Sequence, residues 1–356
     1  MIPALAVFGA ALVIAWVLPL PLGRLSRDGA SPRLGLAAWL TAITSVLALV
    51  LAALGILTRS AVAGWPAFAR TVCESVTSGV CPPAVYRSAA YELGLAAVAF
   101  VGGITLIVLG CRYGRSLRRA SVSTREHGQA ARIVGHRVSG PGVTGRGVTG
   151  RGVTGSGAGD GEPAFVLDAT QPAVYCVPGR PPTIVLTTGA LEVLESEQLR
   201  AVLAHERAHL AGRHHLLLGA TRSLAAVMPF VPLFALGAAE VARLAEMRAD
   251  DAAVRRIVRE PGHASRREPG RERGRRMLLA ALLAMGTSAT AASAPATAVP
   301  ASWLPATGGV VAARARRLAD PPPAARLARY GLTLAAVTLA IAAAAVLIPM
   351  LALAGA

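Results

Sequence analysis

The residues best suited to chemistry are His205, Glu206 and His209, in the run His205-Glu206-Arg207-Ala208-His209. On a helix, a spacing of four puts both imidazoles on one face, one turn apart. Two neutral ring nitrogens there can bind one zinc ion. Glu206 is rotated by about 100° from His205, so its carboxylate reaches toward a water in the open position rather than the metal. A base so placed can take a proton as that water attacks a peptide carbonyl, and later deliver one to the leaving amine. Arg207 is charged where the strict pattern is uncharged. A catalytic zinc needs a third protein ligand. The best candidate is Glu246, in Glu246-Met247-Arg248-Ala249-Asp250-Asp251. Asp250 lies four residues on, on the same face, and is expected to orient a ligand histidine through a hydrogen bond. His214 is nine residues from His205 and points away from the metal face if the helix is continuous.

The elements that must position these residues are partly legible. Ala164–Asp168, Ala173–Val177 and Thr183–Thr187 read as short strands, with Pro178-Gly179 as a turn. A helix is expected from Ser196 as N-cap, with Glu197 in its first turn and Leu199, Val202, Leu203 and Leu210 as its apolar stripe. The strand at Ala173–Val177 is a candidate to pair with extended substrate backbone. Leu216–Ala239 is apolar, yet one crossing of a bilayer there would separate Glu246 from the histidines, and two crossings need more residues. Arg222 lies inside it, and Pro229 and Pro232 break it. The consistent solution is a helical hairpin bent near Met228–Pro232 that returns Glu246 to the histidines.

The whole chain is unusually apolar: 356 residues, 54% hydrophobic and 15% charged, mean hydropathy +0.53. Four uncharged runs are long enough to cross a bilayer: Met1–Gly23, Leu34–Thr58, Leu93–Cys111 and Tyr330–Ala356. The first lacks the basic start of a secretory signal and is expected to be retained. Net charge is +17, and every one of the 36 basic residues is Arg, a composition typical of a GC-rich bacterial genome. Arg24, Arg27 and Arg33, then Arg112 to Arg125, then Arg314 to Arg329 flank the runs. By the preference of arginine for cytoplasmic flanks, the intervening region faces the cytoplasm. No DNA-binding motif or aromatic-interleaved basic stripe accompanies the charge, so nucleic acid is not an expected partner. Cys73 and Cys81 share the Arg59–Ala90 loop, expected outside the cytoplasm, and are a candidate disulfide; no cysteine spacing suits a thiolate zinc site.

The expected organisation is a three-span membrane region at 1–111, a cytoplasmic juxtamembrane segment at 112–139 and a Gly-rich linker at 140–162. A zinc peptidase domain follows at 163–329, with the apolar hairpin at 216–239 and an Arg-rich exposed loop at 255–276. A last span at 330–356 ends the sequence as read. The linker repeats Gly-Val-Thr-Gly-Arg and has no core-forming pattern. The expected fold class is a mainly α membrane protein with about four transmembrane helices and a cytoplasmic α+β zinc peptidase domain: a small sheet and an HExxH helix.

Ala201–Leu210, reading AVLAHERAHL, with Arg213-His214-His215 and the pair Glu246 and Asp250, resembles the zinc helices of gluzincin membrane peptidases. Val174–Gly179 and Thr183–Ala190 are similar to the strand and turn that precede that helix. The closest resemblance is to the BlaR/MecR antirepressor peptidases, with the HtpX and CAAX-prenyl endopeptidases more distant. It implies one zinc ion on His205, His209 and Glu246, Glu206 as catalytic residue, and regulated proteolysis of a cytoplasmic protein, in the sensor members a transcriptional repressor. The penicillin-binding sensor domain of the full-length members is expected to have no counterpart here. Two other functions fit the same residues: a quality-control protease of membrane proteins, and a signalling scaffold without activity. The expected partners are a protein substrate and the lipid bilayer of a bacterial cell membrane.

Overall fold

The computed structural model describes residues 2–78, 83–138, 164–179, 181–259, 267–291 and 308–354. The Gly-rich linker at 140–162 lies outside them, as does Cys81; Cys73 is exposed on a helix.

Long apolar helices dominate: α1 (Ile2–Trp16), α2 (Pro19–Ser26), α3 (Pro32–Ser78) and α4 (Pro83–Val134), with α11 (Ala324–Ala354) at the end. Four segments are long and apolar enough to cross a membrane: Ile2–Ser26, Pro32–Glu74, Ala90–Val134 and Ala324–Ala354. Their outward faces stay apolar. Leu5, Phe100, Ile107, Leu332 and Leu339 are all exposed, which suits a face turned to lipid rather than to water. The helices outrun the spans read from hydropathy. The expected loop at Arg59–Ala90 is largely the end of α3 and the start of α4, and the juxtamembrane segment continues α4 as far as Val134. Intrahelical hydrogen bonding satisfies the backbone in water as well as in lipid, so loss of hydrophobicity does not end a helix.

The remaining elements form a small α+β unit. Its four-stranded sheet contains β1 (His136–Val138), β2 (Ala164–Leu167), β3 (Val174–Val177) and β4 (Thr183–Thr187), in the order β1-β2-β4-β3. β2 runs parallel to β4, while β1 and β3 pair antiparallel to their neighbours. All five β4 side chains are buried, as befits the central strand with two covered faces. β3 is an edge strand. The three strands expected from sequence are present; β1, only three residues long, carried no readable pattern.

Helices α5 (Thr188–Val193), α6 (Ser196–Ala211), α7 (His214–Val227), α8 (Pro232–Arg259), α9 (Arg267–Ala291) and α10 (Gly308–Ala319) complete the unit. Two apolar cores hold α6. One side packs Leu199, Val202 and Leu203 on Ile184 and Leu186 of β4. The other packs Ala201 and Ala204 on Ala253, Val254 and Ile257 of α8, with Met277 and Leu278 of α9 behind. A third core joins α8 to the membrane region through Leu233, Phe234, Val241 and Leu244 against Trp39 and Ile43 of α3. The Arg-rich stretch at 255–276 corrects the expected loop: its described residues are the end of α8 and the start of α9. Pro269 falls in the first turn of α9, where the missing N–H has no helical partner to lose.

Candidate metal centre

α6 begins one residue later than its cap. Glu195 is the N-cap, and its backbone N–H donates to Gln198 Oε1 at 3.1 Å, so Ser196 is the first helical residue rather than the cap. His205 is buried on the middle of α6; Glu206 and His209 are half-buried. α6 then stops. Gly212 gives way to Arg213 with φ 48° and ψ 37°, a left-handed conformation that a non-glycine residue rarely adopts. α7 starts at once in a new direction and turns at 228–231 into α8, with Pro232 at its first position. This is the bent hairpin, and it returns Glu246 to the histidines. The approach is close because the α6–α8 crossing is lined by alanines 201, 204 and 253.

The three side chains meet. His205 Nε2 and His209 Nε2 are 3.0 Å apart. Glu246 Oε2 lies 3.4 Å from His205 Nε2, and Glu246 Oε1 lies 3.4 Å from His209 Nε2. A tetrahedral ion with bonds of about 2.0–2.1 Å sets its ligands about 3.3 Å apart, so these donors have the spacing of one shared metal. Two imidazoles and a carboxylate also have the right chemistry for zinc, and they leave one position open. Burial and the Arg314 charge alone would lower the His205 pKa. The contacts to Asp250 and Glu246 outweigh them and hold it at about 9. Burial would likewise raise the Glu246 carboxyl, but the facing His209 and His205 and the charge of Arg314 hold it well below its ordinary range.

Around this cluster lies a second set of groups. Asp250 is buried with Oδ1 at 3.0 Å from His205 Nδ1, a close contact in which the ring N–H is not aligned on the carboxylate. Arg314 of α10 grips Asp250 with two hydrogen bonds, Nε to Oδ2 at 2.9 Å and Nη2 to Oδ1 at 2.8 Å. Its Nη1 lies 2.9 Å from Glu246 Oε2. One guanidinium thus fixes both Glu246 and Asp250, holding Asp250 in the bidentate geometry that arginine favours. Sequence reasoning missed this role and read Arg314 as one more flanking charge. Nothing local distinguishes it from Arg316, Arg317, Arg326 and Arg329.

The placement of His214 also corrects the sequence reading. The kink at Arg213 carries it back, and its Nδ1 lies 2.9 Å from His209 Nδ1. It is buried, and burial, ahead of the neighbouring His209 and Arg248 charges, lowers its pKa to about 3. His214 is therefore neutral. Coordination through His209 Nε2 would leave Nδ1–H to donate to it. Gly212 is required here, because a Cβ would collide with His214 Nε2. Glu206 sits beside Cys176 of the edge strand β3. Burial, then the Glu206 charge and hydrogen bond, hold that thiol well above its usual range.

The stretch 158–239 matches peptidase family M48. The M48 segment covers less than a quarter of the chain; it contains His205, Glu206 and His209 but ends before Glu246, Asp250 and Arg314. No curated protein and no solved structure matches. An M48 segment among four candidate spans supports a membrane metallopeptidase. The match is at the level of the family and carries nothing specific to the BlaR/MecR branch.

Proposed function

We propose that this chain is a multi-pass membrane zinc endopeptidase whose site faces the cytoplasm, and that it cleaves a protein substrate, a transcriptional repressor in regulated proteolysis. The observation that carries the peptidase reading is the convergence of His205, His209 and Glu246 at metal-ligand spacing inside and just beyond an M48 segment. Zinc held there would supply Lewis-acid polarisation of a carbonyl and acidify a water. Glu206, beside that site, is placed to take up a proton during attack on the carbonyl and to return one to the leaving amine. His205, His209 and Glu246 would hold the ion; Asp250, Arg314 and His214 keep those side chains in place. The outer edge of β3, next to Glu206 through Cys176, receives an extended substrate backbone and orients its peptide bond. The repressor as substrate is supported by the resemblance of Ala201–Leu210 to antirepressor peptidases, and the cytoplasmic orientation by the arginine flanks.

The test uses full-length protein with zinc measured per chain. Wild type is expected to hold one zinc. Glu206→Gln is expected to keep it while turnover falls by about 100- to 10,000-fold, the usual loss when a general base is removed. Trapping with Glu206→Gln in cells should capture one dominant cytoplasmic partner. Capture of many unrelated membrane proteins replaces the repressor with quality control. Absence of zinc, or equal cleavage by both forms, leaves only a scaffold.

A further inference from the structure

Along α8 lies a cavity of about 930 Å³ that none of His205, His209 or Glu246 lines. It is walled by α2 and the residues just after it, Trp39 of α3, one face of α8, α10 and the first turn of α11. Six arginines line it: Arg24, Arg27, Arg243, Arg316, Arg317 and Arg326. Only three carboxylates accompany them, Asp28, Glu240 and Asp320. Two of the arginines are engaged. Arg243 pairs with Glu240 at 2.6 Å and donates to Ser26 O, while Arg317 pairs with Asp251 at 2.8 Å and donates to Gly29 O. Arg24, Arg27, Arg316 and Arg326 are exposed and make no ion pair among the described residues. Guanidinium groups gathered in a concave, partly apolar site repel one another, and a bound anion relieves that repulsion. Their planar forks suit phosphate oxygens in particular.

The cavity also has an apolar side. Leu20 and Leu236 line it and remain 64% and 45% exposed. Leu20 belongs to the candidate span Ile2–Ser26, and Arg326 stands in the first turn of the candidate span Ala324–Ala354. The arginines therefore sit where two spans leave the membrane, and the leucines lie on the way into it. A soluble phosphate would use only the first half of this lining; an amphiphile uses both.

We propose that this cavity binds the phosphate of an anionic phospholipid headgroup, held by Arg24, Arg27, Arg316 and Arg326, with the acyl chains leaving past Leu20 and Leu236. Lipid binding here is independent of whether the chain hydrolyses peptides. α10 nevertheless faces both places, with Arg314 on the metal ligands and Arg316 and Arg317 on the cavity.

The test is lipid retention by the purified full-length protein in non-ionic detergent, counted as adducts by native mass spectrometry. Phosphatidylglycerol, phosphatidylcholine and inorganic phosphate are supplied separately and in competition. Phosphatidylglycerol is expected to bind in preference to phosphatidylcholine and to resist displacement by an equal concentration of inorganic phosphate. Arg24→Gln with Arg316→Gln is expected to weaken it about 25-fold, at about fivefold per arginine. The Arg24→Lys with Arg316→Lys pair, which keeps the charge, should lose less, and Arg118→Gln on the exposed face of α4 should lose nothing. Both cavity side chains are exposed, so the double variant should melt with the wild type. Equal retention of the two lipids, displacement by inorganic phosphate, or wild-type binding by the Gln pair would each overturn the proposal; the lipid comparison on wild type stands even if a variant misfolds.

Discussion

Arg314 and Arg316 are two residues apart on α10 and live in opposite environments. Arg314 is 7% exposed and grips Asp250 and Glu246; Arg316 is exposed on the lining of a cavity, with no carboxylate paired to it among the described residues. The difference teaches that burial, rather than residue type, sets what a charge does here. A buried guanidinium must be fully paired, and once paired it fixes its partners. An exposed one is screened by water and remains available to an anion.

The largest expected break in this contrast is Arg314→Met. It leaves buried Asp250 and half-buried Glu246 without their cation, and removing one partner of a buried pair costs about 3–5 kcal/mol. Denaturant unfolding of the detergent-solubilised protein measures it; a loss below about 1 kcal/mol would show that Arg314 is not what holds α10 on α8. The same pair predicts an acid limb. Burial would raise the Asp250 carboxyl, but Arg314 and His205 outweigh it and hold it far below the usual range. A depressed carboxyl stabilises the fold fully above its unfolded value of about 3.9, and that stabilisation is lost as the pH falls through the folded value. Melting between pH 7 and pH 3 should therefore drop more steeply in wild type than in Asp250→Asn. Arg316→Gln should leave the limb unchanged.

Next in size is His214→Ala. It removes the acceptor opposite His209 Nδ1, and partners of metal-binding histidines typically matter by about 10- to 100-fold in affinity. Zinc retention against a chelator reads this directly, and retention equal to wild type would make His214 a packing residue only. The smallest effect belongs to Arg316→Gln, expected to change stability by no more than about 0.5 kcal/mol, the usual range for an exposed site. A larger loss would mean that Arg316 is held by the fold and is not free for a ligand.

Much of the site was legible because it is periodic or spaced along the chain. His205 and His209 are one turn apart whatever surrounds them. β2 to β4 follow from short apolar runs, β3 ended by Pro178-Gly179 and β4 rich in β-branched residues. The hairpin followed from the incompatibility of one membrane crossing with a shared metal, so even the long-range return of Glu246 could be argued. His214 was misjudged for a local reason, the left-handed Arg213, which no glycine advertised at that position. The helical extensions of α3, α4, α8 and α9 were missed because charge and polarity were read as loop signals, although neither stops a helix.

By itself, then, the sequence determined the metal-binding turn of α6, the acidic pair one turn apart on α8 and the number of apolar spans, because each is a repeat of one helix or strand. Only the tertiary structure decided which arginine is buried on that acidic pair, which histidine supports His209, and which arginines gather around the cavity. Those choices depend on residues 64 positions apart, as with Asp250 and Arg314, or on helices from opposite ends of the chain. One arginine looks like another until packing excludes water from it.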